Sequence, residues 1–249
     1  MLGELLEISI DCEEVLDSLD FWQRAGFATA PVGDVWPHRY GVVTDGRICL
    51  GLHDFRFPSP SLTFVTPELG RRVEEIEARG VEMAFRKLGA DEFNEAGFHD
   101  PSGQTVCLLE ARTFSPPPDH AGSLLGHFRA LRRRSRDPEV ACRFWESLGV
   151  IQVPGEGLGE VSGNGFNLQF DPTSRGVELV FEDPRPAARA EALEPRGIDF
   201  RVVGEDRLAT APDGLVIRIT PPEEEAPAEA VSPEHTPEAD SDCEPDSRT

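Results

Sequence analysis

Phe21-Trp22-Gln23-Arg24-Ala25-Gly26-Phe27 returns 123 positions later as Phe144-Trp145-Glu146-Ser147-Leu148-Gly149-Val150. In both places two aromatics close an amphipathic stretch and a glycine follows, the punctuation of a helix that stops and hands over to a strand. Two further pairs keep the same order: Arg79-Gly80-Val81 with Arg196-Gly197-Ile198, and Asp100-Pro101-Ser102-Gly103 with Ala211-Pro212-Asp213-Gly214. The separations shrink steadily, 123, 117 and 111 residues, as a tandem duplication with a slightly shorter second copy requires. Between the copies stands Phe114-Ser115-Pro116-Pro117-Pro118-Asp119-His120-Ala121-Gly122, whose prolines can continue neither a helix nor a central strand.

Each copy divides again. Leu5–Asp11 alternates apolar and polar residues as a half-buried strand does, and Val15, Leu16, Leu19 and Trp22 then recur at helical spacing up to Gly26. Strands are expected at Ala28–Val32, Tyr40–Thr44 and Arg47–Phe55, with Asp45-Gly46 as a hairpin turn. The pattern restarts with strand Ser61–Val65, helix Pro67–Arg79 opened by its proline, and strands Val81–Phe85, Phe93–His99 and Thr105–Ala111. This is βαβββ twice per copy, with the second copy's helices at Pro138–Leu148 and Pro184–Arg196. The fold class expected is α+β, built from four βαβββ modules. The expected organisation is a domain at 1–113, a proline linker at 114–122, a second domain at 123–220 and a tail at 221–249. The tail holds ten acidic residues, one Arg and six Pro, too little apolar surface to offset chain entropy, so disorder is expected there.

The 249 residues include 39% hydrophobic residues and 15 Phe, enough for a core. A formal net charge of −22 argues against a nucleic-acid partner and against an anionic membrane surface, both of which need clustered Lys and Arg. No apolar run approaches the roughly 18 residues of a membrane span. The five cysteines, at 12, 49, 107, 142 and 243, show no metal or disulfide spacing and are read as reduced thiols of a cytoplasmic protein. No phosphate loop, nucleophile elbow or dinucleotide fingerprint is present.

The paired modules, with Phe-Trp before a Gly-apolar helix end and Asp-Pro-x-Gly before the last strand, resemble the vicinal oxygen chelate superfamily. That group includes glyoxalase I, extradiol dioxygenases, and fosfomycin- and bleomycin-resistance proteins. The resemblance covers 5–112 and, more loosely, 126–220. It implies that two modules curl their sheets into an open barrel whose interior holds the ligand, so two such barrels are expected. Metal-dependent members carry ligands on three strands, and the resemblance places Glu7 at the first, a residue near Ser61 at the second and Cys107 at the third. The second copy offers Ala130, about Glu178, and Arg218 at those places. Neither set completes a triad for a divalent ion, and an arginine would repel one.

The resemblance therefore implies a small-molecule-binding protein of the bleomycin-resistance type, with no metal, no cofactor and no catalytic residue assigned. Its ligand, partly aromatic or cationic, would sit in the first cup among Glu7, Asp11, Trp22, Trp36, His53 and Phe55. Trp36-Pro37-His38-Arg39-Tyr40 would lie near the mouth, where aromatic surfaces with a few polar groups suit an organic molecule and equally suit a core. One alternative is a divalent-metal lyase, isomerase or dioxygenase using Glu7 with His53 or His99. Another is an inert scaffold that works through the acidic tail. The second copy is expected to be degenerate. Arg132 and Arg134 would share a face with Arg218, either as an anion pocket or as charge balance. A chain that carries both copies is expected to act as a monomer rather than a homodimer.

Overall fold

The computed structural model describes residues 2–31, 37–110, 122–154, 158–163 and 165–222. The first half runs β1 (Glu4–Asp11), α1 (Val15–Arg24), β2 (Ala28–Ala30), β3 (Tyr40–Thr44), β4 (Cys49–His53), then β5 (Ser61–Thr66), α2 (Leu69–Glu77), β6 (Met83–Lys87), β7 (Glu95–His99) and β8 (Thr105–Glu110). The second half repeats it as β9 (His127–Arg134), α3 (Pro138–Ser147), β10 (Ile151–Val153), β11 (Gly159–Gly163), β12 (Phe166–Asp171), β13 (Val177–Glu182), α4 (Pro186–Leu193), β14 (Arg201–Val203), β15 (Asp206–Thr210) and β16 (Val216–Thr220). These form two eight-stranded sheets of matching order, β2-β3-β4-β1-β5-β8-β7-β6 and β10-β11-β12-β9-β13-β16-β15-β14. The opening strands of the two modules, β1 and β5, lie antiparallel at the sheet centre, and each runs parallel to the last strand of its own module. The α+β class and the fourfold βαβββ repeat are as the sequence indicates.

Local chemistry sets the element ends. Asp45 Oδ1 accepts the amides of Arg47 and Ile48 at 2.9 and 3.0 Å, which closes the β3–β4 hairpin with Gly46 at φ +87°. Asp137 caps α3 through the Val140 amide at 3.0 Å, with Pro138 in the first turn. Pro67 does not open α2 as expected. Glu68 takes a left-handed φ of 54°, so the helix begins at Leu69. The expected helix Pro184–Arg196 is split, since Pro195 offers no amide and the chain tightens into a 3-10 turn at Glu194–Arg196. The proline linker, apart from Gly122, and the acidic tail beyond residue 222 lie outside the described residues.

Each sheet has two faces. Ile8, Ile10, Leu50, Leu52, Leu62 and Phe64 point to one side of the first sheet and are fully buried. Helix α1 lies on that side, where Leu19 covers Gly41. Glu7, Ser9, Ser61, Thr63 and Thr105 alternate onto the other side and are buried as well, because the sheet curls over them. The apolar faces of both halves join in one continuous core, through contacts such as Phe27 on Phe181 and Phe64 on Phe166. Two tryptophans clamp the halves crosswise. Trp22 Nε1 donates to Asp213 Oδ2 at 3.1 Å, and Trp145 Nε1 donates to Asp100 Oδ2 at 2.9 Å.

Candidate functional site

The register of the first sheet assembles a polar row. Glu7 of β1 lies beside Thr63 of β5, and Thr63 beside Cys107 of β8; on the other flank Ser9 lies beside Gly51 and Asp11 beside His53 of β4. Glu7 leans toward β4 across Gly51, where a Cβ would come within 2.2 Å of the carboxylate carbon. Only glycine leaves that space. His53 Nε2 then stands 2.7 Å from Glu7 Oε1, and Ser9 Oγ donates to the same oxygen at 2.8 Å while bonding Thr63 Oγ1 at 2.7 Å. A carboxylate only accepts, so His53 presents its Nε2–H to Glu7, and its Nδ1 stands 3.0 Å from His38 Nε2, where a neutral His53 would accept. The result is a hydrogen-bonded row, Glu7–His53–His38.

Aromatic rings fix its geometry. Tyr40 stacks on His53 at 5.2 Å, Phe57 meets it edge-on at 5.7 Å, and Phe55 stacks on His38 at 5.1 Å. Glu7 and His53 are each 3% exposed, His38 is half-buried, and Phe55 is 58% exposed, so the row leads from the interior to the rim. Burial, and then the neighbouring His53, hold the His38 imidazole below its ordinary range, against the opposite pull of Asp54 and Glu7. Burial, reinforced by Glu95 and Glu7, pushes the Cys107 thiol up to about 12.

At the three strand positions where the family resemblance locates metal ligands stand Glu7, Thr63 and Cys107. The second place is Thr63, two residues beyond Ser61. One carboxylate turned away toward an imidazole, one hydroxyl and one protonated thiol do not fit a divalent ion. Among the described residues, no group of three or more His, Cys, Asp and Glu side chains is arranged to hold a metal. His99 is exposed and bonds Thr105 at 3.1 Å, and no hydrogen bond joins it to Glu7 or His53.

Of the residues expected around the cup, Glu7, His53 and Phe55 come together. Asp11 sits in register with His53 at the strand end, its amide bonded to Ser59 Oγ at 3.0 Å, outside the hydrogen-bonded row. Trp22 belongs to the interface between the halves and is completely buried there, not in the cup, because its helix packs on the opposite sheet face. Trp36 lies outside the described residues. The sequence reading placed His38 and Tyr40 near the mouth but did not single out Ser9, Thr63 or the pairing of either ring with His53. The available signal was the hairpin register that sets Tyr40 opposite His53 and brings the preceding His38 over it.

The second sheet fills the same face with charge. Arg129 pairs with Glu160 and Glu182, and Gln169 donates to Glu160 at 3.0 Å while accepting from Arg132 Nε at 3.1 Å. Arg218 grips Glu178 through two bonds of 2.7 and 3.0 Å and also binds Asp206. These partners outweigh burial and hold Arg218 above its ordinary range. Arg132 is held below its own by burial and then by the nearby Arg218. Arg132 and Arg218 share a face, as expected. Arg133 turns the other way and donates to the Ser102 carbonyl of the first half at 3.0 Å.

No protein-family profile and no curated protein matches the chain. Solved structures do. A catechol 2,3-dioxygenase superposes with a TM-score of 0.57 at 17% identity, over 91% of this chain and 90% of that one. The 2,3-dioxygenase LapB from Pseudomonas sp. KL28 gives 0.59 at 12% identity, over 88% and 93% of the two chains. A variant 4-hydroxymandelate synthase from Streptomyces coelicolor gives 0.54 at 11%, over 87% and 92%. These neighbours carry the vicinal oxygen chelate fold, and the likeness is one of fold: two sheets of that type in tandem.

Proposed function

We propose that the curled face of the first sheet binds a small, partly aromatic or cationic organic molecule without a metal ion or other cofactor. The observation that carries this reading is the commitment of Glu7: its carboxylate is turned over Gly51 and bonded by His53 and Ser9. Tyr40, Phe55 and Phe57 supply flat apolar surface at the rim, and Ser61, Thr63 and Thr105 supply polar groups inside, the combination that orients small ligands. The second sheet, whose charges already satisfy one another, is a packing partner. The chain acts as a monomer, neither nucleic acid nor a membrane is a partner, and the free thiols Cys12, Cys49, Cys107 and Cys142 accord with a cytoplasmic setting. Among the described residues no helix is long and apolar enough to cross a membrane.

The test combines metal analysis of the purified protein with a thermal-shift screen of small aromatic acids and amines in the presence of chelator. Substoichiometric metal and stabilising compounds whose effect disappears in His53→Ala are expected, because a ligand that binds only the native state raises the midpoint by mass action. The second reading is a divalent-metal enzyme using Glu7, favoured by the dioxygenase names of the structural neighbours. Near-stoichiometric Fe, Mn, Ni or Zn that is lost in Glu7→Ala would establish that reading instead.

A further inference from the structure

We infer that Phe85 is the specificity-determining residue of the first cup, the surface on which a planar aromatic ring of the ligand stacks. The inference rests on the small-molecule reading above and names what selects the ligand. It starts from register. Met83 pairs with Phe98 but Phe85 pairs with Gly97, so Ala84 is an extra residue in β6. In unbroken register Ala84 would stand opposite Gly97, and Phe85 opposite Ala96, which is completely buried on the helix side of the sheet. The bulge turns Phe85 onto the other face, as bulges beside binding sites do when they re-aim a side chain. Gly97 pairs with Cys107, Cys107 with Thr63 and Thr63 with Glu7, so that face is the interior of the first cup.

Gly97 makes this placement possible. A Cβ there would stand 2.3 Å from Phe85 Cε1 and 2.7 Å from the Val106 carbonyl oxygen, so the ring lies against bare backbone. Phe85 nevertheless stays 41% exposed, whereas Phe64 and Phe98 on the helix side are completely buried. Its ring is also uncommitted. Tyr40 and Phe55 stack on histidines and Phe57 meets one edge-on, but among the described residues no aromatic ring or cation stacks on Phe85. The next cross-strand pair on this face, Lys87 with Glu95, is an ion pair at 4.0 Å, so this wall selects for a ring and not for a charge. The second half lacks the device. Its β14 and β15 pair without a shift, Arg201 opposite Leu208, and the buried Leu208 stands beside Arg218 as Gly97 stands beside Cys107. The topology therefore does not require the bulge, the glycine or the aromatic ring.

The probes are two matched pairs, benzylamine with cyclohexylmethylamine and benzoate with cyclohexanecarboxylate, alike in charge and differing in the ring. Dissociation constants are measured by calorimetry in the presence of chelator. In at least one pair the wild-type chain should bind the aromatic member about fivefold more tightly, the size of effect that one aromatic stack supplies. Phe85→Leu, which keeps apolar bulk, should bind both members of that pair alike. Phe85→Tyr, which keeps the ring, should retain the preference. A residue that only packs the edge strand would change both affinities together and leave their ratio untouched, so the ratio separates recognition from folding. Equal binding of aromatic and saturated members by wild type overturns the role of Phe85 and leaves the binding reading standing. So does a preference that survives in Phe85→Leu. If none of the four compounds binds wild type, the result counts against both.

Discussion

The two sheets share one topology and fill their curled faces by opposite means. Ile8 pairs with Leu50 and Leu62 in the first sheet as Leu131 pairs with Leu168 and Leu179 in the second, which aligns the halves residue by residue. By that alignment Glu7 corresponds to Ala130, Ser9 to Arg132, Gly51 to Gln169, His53 to Asp171, Thr63 to Val180 and Cys107 to Arg218. The glycine is decisive. Its missing side chain lets a carboxylate lie against the strand, whereas Gln169 occupies the equivalent space and ties Arg132 to Glu160. A buried ion-pair network roughly balances its desolvation cost and becomes expensive only when one partner is removed. The second face is therefore closed by its own charges, while the first keeps a polar row that runs out to the rim.

The largest expected effect probes what the halves share. Trp22 and Trp145 are both completely buried and reach across to an aspartate of the other half. Truncating either to Ala should cost about 3–5 kcal/mol, from lost packing and an orphaned acceptor. Because the apolar core is continuous, urea should unfold wild type and both variants in one transition. Two separated transitions would show that the halves are energetically independent. Next in size is Arg218→Met, which strands the buried Glu178 and its neighbour Asp206 and should cost about 3 kcal/mol. The same variant should leave ligand-induced thermal shifts at the first cup unchanged. If those shifts vanish, the division of labour between the faces is wrong.

Gly51→Ala sharpens the comparison at its pivot. The added methyl displaces the Glu7 carboxylate and should destabilise by about 1–3 kcal/mol through overpacking. Histidine NMR should show His53 uncoupled from Glu7 in this variant. An unchanged His53 spectrum would mean that the glycine is incidental.

Much of this was legible in the sequence because it depends on short-range patterning. The strand alternation from Leu5 to Asp11, the helix stops at Gly26 and Gly149 and the matched Phe-Trp pairs report local periodicity, and periodicity fixes element type and repeat. The places of Glu7 and Cys107 came from the family resemblance, carried over from its motifs at Phe21-Trp22 and Asp100-Pro101-Ser102-Gly103. What could not be read depends on how strands pair. His38 is separated from β3 only by Arg39, but its partner His53 is reached only through the β3–β4 register, and Thr63 meets Ser9 only through the antiparallel pairing of β1 with β5. Trp22 was misplaced for a related reason: helical spacing shows that it is buried, but not that the other half of the chain supplies its hydrogen-bond partner.

That partner gives the smallest prediction and the closest test of symmetry. The two Trp acceptors come from different slots of the same turn, Asp100 at its first position and Asp213 at its third. Asp100 takes the Ser102 and Gln104 amides and the Ser102 hydroxyl as well as Trp145, all within 2.9 Å. Asp213 has fewer donors, and burial pushes its carboxyl above the ordinary 3.8 despite bonds from the Leu215 amide, Trp22 and Ser18. A raised folded-state value means that the native chain holds a proton which the unfolded chain has released. Stability associated with Asp213 is therefore greatest below pH 3.8 and declines as pH rises through the raised value. Asp171 and Asp183 slope the other way. In each, burial is outweighed by hydrogen bonds, from Thr173 and from Arg185 and Arg189 respectively, so their contribution fades as pH falls. Subtracting wild type from Asp213→Asn at each pH cancels those groups and isolates Asp213. The variant should gain on wild type as pH rises from 3.8 and then level off, with an offset within about 1 kcal/mol because an amide replaces one of the two acceptor oxygens. Urea midpoints measured from acid to neutral pH give the curve. A flat difference would mean that Asp213 titrates alike in the folded and unfolded chain, against the effect of its burial.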